Sequence, residues 1–296
     1  MKRFIYNSGR KVFVYNGEFK EEDHPRGEDG KFGKGGKGKE TEVRDVKNEY
    51  NEVISKYKGT TQWMKTPTGE ETELTEKQWV QTRTDSFKDW FGDFEKEKDK
   101  YNLSVGEEGE PRKFYHDSRN GAFSGIEEGG GEFGGIFVLP DHRAGYSKKE
   151  HSYELFVREP IATLEDLRDS IEGLKNSGAK TYSDILKTKV SENQAEELTD
   201  ALTDGSDYPT DEELWDLIGA YDESSATIKI QKLRGLIAKS VGFGAVVTPD
   251  EFGQETLMVV NPTSIKSATD NSGEFNTENK NITNTAPRRF IYKANP

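Results

Sequence analysis

Apolar residues recur along this chain at two periods, and the period changes with position. The opening KRFIYNSGRKVFVYNG predicts a strand pair turned at Asn7-Ser8-Gly9. A Gly- and Lys-rich run follows to residue 39; it has too little apolar surface to order itself and reads as a linker. Over 40–58 the spacing becomes helical, with Val43, Val46, Tyr50, Val53 and Tyr57 in one stripe. Thr75 and Gln78 form a capping box ahead of a helical region that runs from Trp79 into DSFKDWFGDFE, ended by Gly92. Phe87, Trp90, Phe91 and Phe94 crowd one side of it.

Short strands come next. RKFYH, IFVL and SYELFVREP are separated by a Gly-rich loop (Gly129–Gly131, Gly134–Gly135) and by a short helix from Pro140-Asp141 through Tyr146. Pro160 stops the third strand. Residues 163–240 read as mostly helical, with loops at Gly178, Asp204–Pro209 and Asp222–Ser225, and a capping box at Thr210 and Glu213. Two strands, 244–248 and 256–260, close the body around an acidic turn. Beyond Ile265 the chain turns polar and Asn-rich, and its last residues, RRFIYKANP, echo the start. Strands at both ends with helices between them predict an α+β fold.

Composition narrows this picture. Only 31% of the 296 residues are hydrophobic and 33% are charged, so part of the chain is expected to lie outside any core. The 16 Phe, 12 Tyr and 4 Trp still require a real core. No Cys is present, which excludes disulfides, thiolate nucleophiles and Cys-based zinc sites. No apolar run is long enough to span a membrane or to serve as a signal peptide, so a cytosolic protein is expected, or one packaged into a particle assembled there. The net charge is −13, but residues 1–39 carry +4, leaving an acidic body unsuited to general nucleic-acid binding. Neither a Rossmann nor a P-loop nucleotide site is supported. His142 and His151 have no zinc-binding spacing, and no metal is expected.

Several segments, in order, carry a family resemblance. RTDSFKDWFGDFE resembles the opening helix of the ADP-ribosyltransferase domains of phage polyvalent and related prophage proteins. FYHDSRNGAFS is similar to that family's strand ending in His-Gly-Thr or His-Gly-Ser. GGIFVLPDHRAGYS is similar to its Gly-rich approach, aromatic strand and Ala-x-Tyr helix. LFVREPIATLED resembles its strand and Pro turn, and the segment 241–276 its closing hairpin and IKSATDNSGEF tail. The resemblance implies a split-sheet ADP-ribosyltransferase-like core with a helical insertion over 79–275. Around it stand an N-terminal arm and linker (1–39), a helical segment (40–78) and a C-terminal tail (276–296).

It also implies NAD as substrate and a His-Tyr-Glu type of site. Breaking the nicotinamide–ribose bond develops positive charge on the ribose, so a site must hold the ring, orient the sugar and supply negative or accepting groups. His116 is implied as the ribose-binding imidazole, Tyr146 as the nicotinamide platform and Ser118 as a donor. Asp117 stands where the family has Gly, beside the nicotinamide amide. Glu255 is the candidate catalytic carboxylate. Alignment on LMVVNP places Thr256 in that slot, a bulge at Gly253-Gln254 would restore Glu255, and Gln254 is the remaining option. Two functions stay open, beside a third, some other interaction protein. One is a phage mono-ADP-ribosyltransferase acting on a host protein or nucleic acid in the bacterial cytoplasm. The other is a degenerate fold serving as a virion-associated protein among capsid or portal components.

Overall fold

A computed structural model describes residues 3–7, 10–14, 46–97, 101, 103–117, 125, 133–141, 152–173, 178–205, 212–249 and 255–283. The chain divides into two units, Met1–Asp45 and Val46–Pro296. In the first, β1 (Arg3–Asn7) and β2 (Arg10–Val14) pair antiparallel, with Phe4 opposite Phe13 and Asn7 opposite Arg10, as the opening pattern predicts. The Gly/Lys run and the C-terminal RRFIYKANP lie outside the described residues.

The second unit begins with three helices, α1 (Val46–Tyr57), α2 (Glu76–Thr82) and α3 (Asp85–Phe91). The Thr75–Gln78 capping box is present. The single helical region expected from Trp79 onward is instead two helices. Thr84 adopts an extended conformation and its hydroxyl caps the second by accepting from the Phe87 amide at 3.2 Å. Gly92, at φ 107°, ends α3, and a Cβ there would strike the Tyr101 ring. Val53 of the predicted α1 stripe is buried against an aromatic core, with Tyr50 and Tyr57 packed at its edge. Phe87 is the hub of that core, with ring centroids of Trp90, Phe91, Phe156 and Phe275 within 5.7 Å. Each such aromatic contributes about 1.5–3 kcal/mol by burial alone.

Two sheets follow. The first has the order β3 (Phe114–Asp117), β5 (Ser152–Val157), β9 (Ile265–Ser267), all antiparallel. The second has the order β4 (Ile136–Val138), β8 (Glu255–Val259), β7 (Ala245–Pro249), β6 (Ile161–Ala162). Among the described strands only β6 and β7 pair parallel, and parallel neighbours need a crossover. The crossover is the helical insertion: α4 (Leu164–Gly173), α5 (Gly178–Leu186), α6 (Glu192–Thr203), α7 (Glu212–Ile218) and α8 (Glu223–Ser240). Asp222–Ser225, expected as a loop, is the capped first turn of α8, because the Asp222 carboxylate accepts from the Ser225 amide at 2.7 Å. Gly178 opens α5 rather than separating helices.

Side-chain alternation divides the core of the second unit. Val246, Met258 and Val260 face the helices, packing with Leu167, Leu198, Leu202 and Ile230. Ala245, Leu257 and Val259 face the other sheet, packing with Phe114, Val138, Leu155, Val157 and Ile265. The far face of the first sheet, through Phe156, joins the aromatic core of α1–α3. The unit is therefore layered, with α1–α3 on the outer face of one sheet and α4–α8 on the outer face of the other. This is the expected α+β architecture, with the strands divided between two sheets and a helical insertion.

Candidate functional site

The sheets part between β3 and β4, and His116 stands at the split. Tyr115 and Leu139 exchange both backbone hydrogen bonds, at 2.8 and 2.9 Å, and form an isolated bridge. Among the described residues the ladder goes no further. The next carbonyl of β4 that faces β3, that of Phe137, lies 2.9 Å from His116 Nδ1. A carbonyl oxygen can only accept, so Nδ1 carries the hydrogen and Nε2 carries the lone pair in the neutral ring. Burial holds the imidazole below the usual histidine range, while the Phe137 carbonyl and the neighbouring Asp117 charge work the other way. The net result is a neutral ring with its tautomer fixed by the split itself.

Asp117 is the last residue of β3, and its Oδ1 is buried with no hydrogen-bond partner among the described residues. A buried carboxylate oxygen in that state is costly unless something supplies a donor. Ser118, Tyr146, His142, His151 and Gln254 lie outside the described residues.

Glu255 is the exposed first residue of β8, opposite Pro249. With Leu164, Val247, Thr248 and Pro249 it lines a hollow of about 220 Å³. The β7–β8 register is unbroken from Glu255 to Val259, so alternation gives each residue its side. Thr256 is in phase with Met258 toward the helices; it is 1% exposed and its hydroxyl donates to the Thr248 carbonyl at 2.8 Å. Glu255 is in phase with Leu257 and Val259, on the inter-sheet side that also carries Phe114 and His116.

One strand, β4, separates the strand of His116 from that of Glu255. Val138 is opposite Leu257 and one antiparallel step from the Tyr115–Leu139 bridge, which sets His116 level with Leu257. Glu255 lies two residues further along, so the two backbones are separated by a diagonal on the order of 12 Å. A group touched by both side chains would lie between these two strand positions.

Gly134 has a packing reason beyond loop geometry. At φ +81° it presses on α8, and a Cβ would lie 2.8 Å from the Lys232 carbonyl. Sequence reasoning did not single out Tyr153, which sits directly opposite His116 on β5. Its signal was only the alternation of SYELFV. Among the described residues no cluster of acids and histidines is arranged to hold a metal ion, and no helix is long and apolar enough to cross a membrane.

A crystal structure of an anti-CRISPR protein aligns at 20% identity with a TM-score of 0.35, covering 52% of this chain and 93% of that one. No curated protein matches the sequence. The family model of the Anti-CRISPR Type I-F ADP-ribosyltransferase AcrIF11 matches residues 117–268, just over half of the chain. That span runs from the end of β3 through both sheets and the helical insertion to just past β9. The chain belongs to the AcrIF11 family of anti-CRISPR ADP-ribosyltransferases.

Proposed function

We propose that this chain breaks the nicotinamide–ribose bond of NAD and transfers the ADP-ribose to a protein of the bacterial host, in the host cytoplasm. The carrying observation is His116 at the sheet split, its Nδ1 engaged by the Phe137 carbonyl so that Nε2 is the accepting nitrogen.

The residues divide the work. His116 Nε2 accepts the hydrogen of a ribose hydroxyl and orients the sugar. Tyr146 lays its ring on the cationic nicotinamide, an attraction of about 0.5–2 kcal/mol. Ser118 donates to the same end of the ligand. The orphaned Oδ1 of Asp117 fits a ligand that brings a donor, such as the carboxamide N–H of nicotinamide. Glu255 faces the positive charge that develops at the ribose and takes the proton from the acceptor's nucleophile. The C1′–nitrogen bond breaks with its electron pair leaving on nicotinamide, and a bond from C1′ to the acceptor forms. Glu255 is preferred to Thr256 because the Thr256 hydroxyl is buried and spent on Thr248.

The matched family's name bears on the target. We assign the acceptor to a protein of a type I-F CRISPR complex. The test is incubation of the purified protein with NAD labelled in its adenylate and lysate from cells with or without that complex. A labelled protein band is expected only with the complex, lost in His116→Ala, Tyr146→Ala and Glu255→Gln. Labelling that survives all three changes would refute this site. Neither label nor nicotinamide release under any condition would favour the alternative, a fold retained without catalysis in a virion-associated protein.

A further inference from the structure

We infer that Tyr153 forms a second aromatic wall of the NAD site and sets the affinity for the dinucleotide without taking part in bond cleavage. This rests on the reading that His116 binds NAD, and it adds a residue that neither the resemblance nor the family match assigns.

The placement follows from the ladder. Tyr115 spends its backbone N–H and C=O on Leu139 of β4, so those of its neighbour His116 point the other way, to β5. His116 and Tyr153 are register partners. They therefore form a hydrogen-bonded antiparallel pair, with Cα atoms about 5.5 Å apart and both side chains on one face. That face is the inter-sheet face, since Leu155 and Val157, in phase with Tyr153, are core residues there and Tyr153 packs against them.

Burial along this face changes towards the split. On β5, Val157 and Leu155 are 0% exposed, whereas Tyr153 is only half-buried. On β3, Phe114 is 2% exposed and His116 is half-buried. A large ring beside the imidazole, anchored on the core and emerging at its rim, suits a flat partner. Tyrosine adds little rotamer entropy loss on binding, because only two torsions need be fixed. The ring offers its face to a planar heterocycle or to the sugar beside it.

A purely structural Tyr153 predicts different numbers from a ligand-contacting one. We expect Tyr153→Leu, which keeps apolar volume on the core, to raise the KM for NAD about tenfold in a nicotinamide-release assay. That factor corresponds to about 1.4 kcal/mol of lost binding. The kcat is expected to stay within about threefold. Tyr153→Phe, which keeps the ring, is expected to restore KM to within about twofold of the unaltered protein. Calorimetric titration of NAD gives the same ranking without turnover. A Leu variant with unchanged KM and a lowered Tm would overturn the proposal and make Tyr153 a core residue only. A fall in kcat at unchanged KM would overturn it as well. If the unaltered protein neither binds nor cleaves NAD, the NAD reading and this one fail together. If it does both and the Leu variant is indistinguishable from it, this inference alone fails.

Discussion

Lys266, fully buried on β9, donates from Nζ to the carbonyl of Asn281 at 2.9 Å, and to that of Asn279 at 2.5 Å. These bonds tie the Asn-rich tail along the edge of the sheet that carries His116. The tail is secured further by the Ser267 amide and the Asn271 side chain, both donating to the Ile282 carbonyl. Ile282 itself is 0% exposed, in the core with Phe114, Leu155 and Ile265. Ile282→Ala is expected to destabilise the fold by about 2–5 kcal/mol, read from urea denaturation. A loss below about half a kcal/mol would mean the tail only rests on the surface.

His116 makes stability depend on acidity in a defined direction. Its folded value is lowered, chiefly by burial, so the unfolded chain binds the proton more readily. The contribution of the neutral ring is complete above the ordinary histidine value of about 6.5 and is lost as pH falls below it. The urea midpoint is expected to drop between pH 7 and pH 5, and to drop less in His116→Gln. Equal slopes for the two proteins would show that His116 is not the group responsible.

Glu255 and Thr256 separate chemistry from packing. Glu255→Gln is expected to cut transfer at least a hundredfold with Tm unchanged, since the side chain is exposed and, at neutral pH, only charge is lost. Thr256→Val is expected to cost about 1–3 kcal/mol of stability and to leave transfer nearly intact, because its hydroxyl serves the Thr248 carbonyl. The reverse pattern would move the catalytic slot to Thr256.

Arg83 and Glu110 give a test away from the site. The Arg83 guanidinium lies 3.8 Å from the centroid of Trp79 and donates to Glu110 at 3.0 Å and to the Lys65 carbonyl at 3.1 Å. Burial opposes both charges, lowering the Arg83 value and raising that of Glu110. Arg83→Met alone is expected to cost about 3–5 kcal/mol by stranding a buried carboxylate. Adding Glu110→Gln should recover part of that loss in a double-mutant cycle. Strict additivity of the two changes would argue against coupling.

Local signals made much of the fold legible. The Thr75–Gln78 box, the Gly92 stop and the strand alternation through FYHD and SYELFV are all properties of neighbouring residues. What depended on distant partners was not legible. β9 is three residues, Ile265–Ser267, two of them polar, and only pairing with β5 and the returning tail buries them. Thr84 as a cap was hidden because the apolar spacing runs on past it. The choice between Glu255 and Thr256 depended on strand phase, which becomes fixed only when β7 and β4 supply the register. His116 was marked by its place at a strand end, but the tautomer-setting carbonyl belongs to Phe137, 21 residues away.

The helical crossover leaves and rejoins the sheet at adjacent points, with Ile161 opposite Ala245 in parallel register. Everything between them is thus a cassette closed at its own base. Its lid-like apolar underside must still cover Val246 and Met258, which rules out simple excision. Exchange for another bundle with a matching underside would keep the sheet and the split intact. The bundle can therefore change in sequence and length while the strand order around His116 stays the same.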